Sequence, residues 1–91
     1  MQLQDKIVVI TGAGSGIGKA LVKRFTAEGA KAIVGVDLNA DTAQQTADEL
    51  GCIPMTADVA REEDVIRIIE DTESQVGPID LFCSNLVHSK V

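Results

Sequence analysis

Residues 6–18 read Lys6-Ile-Val-Val-Ile-Thr11-Gly-Ala-Gly-Ser-Gly-Ile-Gly18, and they set the architecture of the chain. Lys6 to Thr11 is a β-branched run without polar alternation, the pattern of a strand covered on both faces in a parallel sheet. The glycines that follow have a mechanical use. A Cβ there would obstruct a tight turn, the close approach of a ligand to backbone, or the packing of a helix on a strand. Backbone N–H groups and the dipole of the helix that opens at this loop can receive a pyrophosphate; a plain tight turn is the alternative.

Further strand-like runs occur at Ala32 to Val36, more weakly at Cys52 to Thr56, and at Leu81 to Cys83, with helical patterns between them. The first helix is expected over 16–28, with Ile17, Ala20, Leu21 and Phe25 on its apolar face. The second, over 40–50, carries Ala40, Ala43, Ala47 and Leu50 behind an Asn39 N-cap. The third, over 62–76, buries Val65, Ile68, Ile69, Thr72 and Val76, and its opening Glu62, Glu63 and Asp64 suit the positive end of a helix dipole. Gly29, Gly51 and Gly77 follow the three helices, where a left-handed residue closes them.

This βαβαβαβ alternation predicts an α/β fold, a Rossmann-like doubly wound parallel sheet with four strands in the order 3-2-1-4. Pro54 lies in the third strand and lacks a ladder donor, so that strand belongs at an edge, as the order requires. The first two helices then cover one face and the third covers part of the other, which leaves the sheet incomplete. Cys52 and Cys83 come to lie three strand spacings apart, about 14 Å, too far for a disulfide; they are expected to be buried thiols.

The chain has 91 residues, enough for one small domain or part of one. Its 45% hydrophobic and 24% charged residues predict a packed core. A net charge of −6 argues against nucleic acid and anionic membrane surfaces as partners. The start of the chain lacks a basic, apolar leader pattern, and no apolar run reaches the length of a membrane span, so a cytoplasmic location is the expectation. Periodicity is lost over 86–91, which is read as an unpatterned tail.

Three nucleotide-binding patterns compete for the loop. A P-loop requires G-x4-G-K-[ST], but Ala13 stands five residues before Gly18 and Ala20 follows Lys19. The strict G-x-G-x-x-G pattern fails because Ile17 occupies its last glycine. Thr11-Gly12-x3-Gly16-x-Gly18 remains, and it resembles the TGxxxGxG cofactor loop of the short-chain dehydrogenase/reductase family. Gly14-Ser-Gly16-Ile-Gly18 also fits the GxGxG loop of methyltransferases that bind S-adenosylmethionine, although Gly12 stands where those carry an acid.

Asp37 ends the second strand nineteen residues after Gly18, the spacing of the acid that binds an adenosine ribose; helix capping is its alternative. A carboxylate about 5 Å from a 2′-phosphate costs on the order of 3 kcal/mol per phosphate charge at an effective dielectric of 20. Ala13, Gly14, Ser15 and Leu38 are neutral, whereas relatives that use NADP usually carry a basic residue at one of these places, so NAD is preferred over NADP. The resemblance further implies that Asp58 and Val59 hold the adenine, with an ordinary loop acid as the alternative for Asp58. It also matches Asn85 to the asparagine before Ala-Gly in the family's NNAG motif. Ser84 and the bulky Leu86-Val87 depart from that motif.

The resemblance assigns cofactor contacts to Gly12, Ser15, Gly16, Ile17, Gly18, Asp37, Asp58, Val59 and Asn85, with residues 1–85 the N-terminal part of an NAD(P)-binding domain. The family moves hydride between NAD and a carbonyl/alcohol pair and relies on a Tyr-x3-Lys motif. This sequence contains no tyrosine, so no residue is assigned as catalytic, and His88, Ser84, Ser89 and Lys90 are not substitutes. The expectation is a truncated, NAD-binding portion without turnover of its own. The alternative is an interaction module that pairs with a copy of itself or with a full-length homologue through its uncovered sheet.

Overall fold

The computed structural model describes residues 3–84. Four parallel strands, β1 (Ile7–Thr11), β2 (Ala32–Asp37), β3 (Ile53–Thr56) and β4 (Leu81–Cys83), alternate with α1 (Gly16–Ala27), α2 (Ala40–Leu50) and α3 (Glu62–Gln75). The sheet order is β3-β2-β1-β4, as the sequence predicted. All five residues of β1 are buried, since it has a strand on each side and helices over each face. Pro54 sits on edge strand β3 opposite Gly35, where a missing ladder donor costs least.

The core is split by the sheet. Val8, Ile10, Val22, Ile33 and Cys52 pack together on the side of α1 and α2, joined by Leu21, Phe25, Ala47 and Leu50. Val9, Val34, Val36, Ala57 and Ile68 form the other cluster on the side of α3. Alternate residues of β1 thus feed opposite layers, as the pleat requires. All three residues of β4 remain half-buried, in keeping with the partial cover expected at that flank.

The helices differ from expectation in which residues they bury. On α1, Ile17 and Ala20 are exposed, and the inward face is Gly18 and Val22 with Leu21 and Phe25 beside them. The helix is rotated because Gly18, a residue with no apolar side chain, makes its closest approach to the loop. On α2, Ala40 is exposed and Thr46 joins Ala43 inside. Asn39 is the predicted N-cap: its Oδ1 accepts from Asp41 N at 2.8 Å and Thr42 N at 3.2 Å. Gly29, Gly51 and Gly77 all take positive φ after their helices.

Two polar residues tie the frame together. Asp80 receives the Ile7 N–H on its Oδ2 at 2.8 Å while its own N–H donates to Ile7 O at 2.9 Å, which pins the entry of β4 to β1. Asp64 reaches back from α3 to accept from Asp58 N at 2.9 Å. Both cysteines are free; Cys52 is buried as expected, but Cys83 is only partly so. Burial pushes both thiols up from their ordinary pKa, against a smaller opposing backbone hydrogen bond at Cys52.

Thr46 is buried, and among the described residues its Oγ1 has no hydrogen-bond partner. A desolvated hydroxyl without a partner opposes folding. Thr46→Val keeps the shape and removes the polar atom, and is expected to stabilise the chain by about 1 kcal/mol. Thermal melts should then show a Tm higher by about 4–8 °C; an unchanged or lower Tm would mean that the hydroxyl is satisfied in solution.

Candidate functional site

The loop between β1 and α1 lies where the sheet order reverses. β1 is followed by a crossover to β2 on one side, and its other neighbour, β4, is reached through α3. Crevices at the carboxyl ends of strands flanking such a reversal are the usual ligand sites of open α/β sheets.

Sequence-local forces build the loop. Gly12 turns with φ of +65°, which a side chain would oppose. Ala13 is fully buried, and its N–H donates to Val36 O at 3.1 Å, stitching the loop to β2. Ser15 is the N-cap of α1: its Oγ accepts from Gly18 N at 3.0 Å and donates to Gly12 O at 2.7 Å. Gly18 is seated so tightly that a Cβ would overlap Gly12 O and lie 2.8 Å from Ala13 Cα.

Gly16 is different. A Cβ there would meet nothing within 4 Å, and both Gly16 and Ile17 are exposed, Ile17 by 63%. No acceptor among the described residues takes the N–H of either one. Two unengaged amides at the positive end of a helix, beside a surface cleared of side chains, suit an anionic oxygen. Lys19 Nζ lies 3.7 Å from Glu49 Oε1 on α2.

Asp37 stands beside this loop. Its Oδ2 accepts from Gly14 N at 3.0 Å and its Oδ1 from Asn39 N at 3.3 Å. The carboxylate is thus fixed by backbone donors from the loop and from the start of α2. Leu38 projects next to it with 69% exposure, an apolar surface that the sequence reading treated only as uncharged.

Asp58 and Val59 follow β3 at the neighbouring strand end, linked to the site through Ala57 N, which donates to Asp37 O at 3.0 Å. Asp58 Oδ1 accepts from Ala60 N at 3.0 Å, the loop-turn role that was its alternative, and none of its hydrogen bonds reaches the glycine loop. Val59 packs partly against the α3-side core. At β4, Thr11 Oγ1 donates to Cys83 O at 3.4 Å and joins the two strand ends that flank the reversal. Ser84 is exposed; Asn85 and the tail over 86–91 lie outside the described residues.

The structure therefore brings Gly12, Ser15, Gly16, Ile17, Gly18 and Asp37 into one place, with Asp58 and Val59 one strand further out. The sequence reading missed Thr42, whose Cγ2 stands where a Cβ on Gly14 would go. Thr42 carries no loop motif, and only its place in the first turn after the Asn39 cap could have pointed to it. Among the described residues no group of three or more His, Cys, Asp or Glu converges as a metal site, and no helix is long and apolar enough to cross a membrane.

The sequence profile described as short chain dehydrogenase matches residues 6–89. (+)-cis,trans-Nepetalactol synthase of Nepeta racemosa is 36% identical over 87 residues, covering 93% of this chain and 32% of that protein. A short-chain type dehydrogenase/reductase from Mycobacterium marinum superposes with a TM-score of 0.82 at 28% identity, covering 89% of this chain and 34% of its own. A structure described as ribose-5-phosphate isomerase from Brucella melitensis superposes with a TM-score of 0.86 at 25% identity, covering 96% of this chain and 34% of its own. The chain spans about a third of the length of these relatives. Proteins of differently described activity share this frame, so function has to be argued from the site.

Proposed function

Because this chain belongs to the short chain dehydrogenase family, we propose that it forms the adenosine and diphosphate side of a nicotinamide dinucleotide site and prefers NAD over NADP. The observation that carries this reading is the pair of Gly16 and Ile17 amides at the mouth of α1, with the Asp37 carboxylate held beside the same loop. The amides would receive diphosphate oxygens, and Asp37 would accept from the ribose hydroxyls. Ile17 and Leu38 offer exposed apolar surface. Asp58 and Val59 are assigned to the adenine, and Asn85 to a cofactor contact, as the family pattern implies.

The bound cofactor would supply a hydride acceptor or donor for a carbonyl/alcohol pair. The residues of this chain bind and orient it; none of them is assigned the proton transfer, since the sequence holds no tyrosine. Family membership favours this reading of the loop over the methyltransferase alternative.

Titration calorimetry with NADH and NADPH tests the proposal. The chain should bind NADH more tightly than NADPH. Gly16→Ala should leave the fold intact, because its methyl enters open space, and weaken NADH by about tenfold, since that methyl occupies the approach to the amides. Folded protein that gives no heat with millimolar NADH would sink the reading.

A further inference from the structure

The structure assigns a second determinant of nucleotide choice: we infer that Thr42, in the first turn of α2, is a positioning residue that holds the Asp37 carboxylate against the glycine loop through its methyl group. This deepens the nucleotide reading above and rests on it.

Four contacts close a ring. Gly14 N donates to Asp37 Oδ2 at 3.0 Å, and Asn39 N donates to Asp37 Oδ1 at 3.3 Å. Asn39 Oδ1 accepts from Thr42 N at 3.2 Å. The ring is completed by Thr42 Cγ2, which fills the space over Gly14, so that a Cβ on Gly14 would overlap it and would lie 2.6 Å from Asp37 Oδ2. Three links are hydrogen bonds, and the fourth is van der Waals contact from one methyl. It is the link that a single-atom change can remove.

The remaining loop positions give the ring its importance. Ala13 is fully buried in the α1-side core, and the Ser15 hydroxyl is used twice within the cap. Position 14 admits no side chain while Thr42 and Asp37 stand as they do. The loop over 12–18 carries no cation that would welcome a 2′-phosphate, and discrimination falls to the charge on Asp37. Coulomb repulsion weakens with distance, so a carboxylate free to swing discriminates less than one that is held. The methyl of Thr42, packed over Gly14, acts through the loop amide that donates to the carboxylate.

Two substitutions separate shape from polarity. Thr42→Ser removes the methyl and keeps the hydroxyl; Thr42→Val keeps the methyl and removes the hydroxyl. In calorimetry on the 91-residue chain, the preference for NADH over NADPH should fall about three- to tenfold in Thr42→Ser and stay at the wild-type ratio in Thr42→Val. In the ligand-free chain, the Gly14 amide should exchange faster in Thr42→Ser only, as read by NMR. Equal weakening of both nucleotides, with the ratio kept, would show Thr42 to be merely structural and overturn the inference while the nucleotide reading stands. A folded wild-type chain that ignores both nucleotides would overturn both.

Discussion

Gly18→Ala should lower the stability of the chain by about 3 kcal/mol, the upper end of the usual cost of forcing a methyl into a filled site. The added Cβ would run into the Gly12 carbonyl oxygen and Ala13 Cα, which are backbone atoms that no rotamer change can move. Relief requires α1 to lift from the loop, which would strain the Ser15 cap and open the contact of Val22 with Val8 and Ile10. A chain of this length has a total stability of about 5–14 kcal/mol, so the loss is a large fraction of the whole. Urea unfolding should show a lower midpoint with an unchanged slope, and Tm should drop by about 12 °C or more. Gly16→Ala, two residues earlier, should not lower Tm. Equal losses for the two variants would mean that the loop is not seated on β1 as described.

Asp37→Ala should narrow the proposed preference for NAD over NADP by about 100-fold. The figure follows from removing a repulsion of about 3 kcal/mol between a carboxylate and a phosphate charge about 5 Å apart at an effective dielectric of 20. Affinity for NAD should fall as well, because the ribose hydroxyls lose their acceptor. Asp37→Asn separates two functions of the side chain. It removes the charge but keeps a carbonyl oxygen for Gly14 N, which Asp37 now engages at 3.0 Å. The asparagine variant should therefore lose discrimination while the loop stays in place; the alanine variant should lose both. Calorimetry with each nucleotide checks the ratio, and a ratio that survives both substitutions would remove Asp37 from the ribose role.

Much of the frame was legible because it depends on side chains that announce themselves. The β-branched run at Ile7–Thr11 marked the central strand, Pro54 marked an edge, and the nineteen-residue step from Gly18 to Asp37 brought an acid to the loop. Apolar periodicity failed where contact is made without an apolar side chain. Gly18 turns α1 by packing its bare backbone on the loop, so Ile17 and Ala20 face outward instead of in. Thr46 enters the core of α2 as a polar residue, and Asp64 reaches back across a turn to the Asp58 amide. Thr42 escaped notice because its importance lies in a methyl placed against a residue 28 positions earlier in the chain, a proximity that only the crossover from β1 to β2 creates.

The loop grows from the end of β1, which among the described strands is the one with every residue buried, and which has a strand along each side. Such a strand releases its bonds only when the entire molecule comes apart, whereas margins and helix ends open piecemeal. A ligand seated there is thus fastened to the last part to let go. Its grip would register as a gain in the cooperative melting of the whole chain and not as a local stiffening of one surface turn.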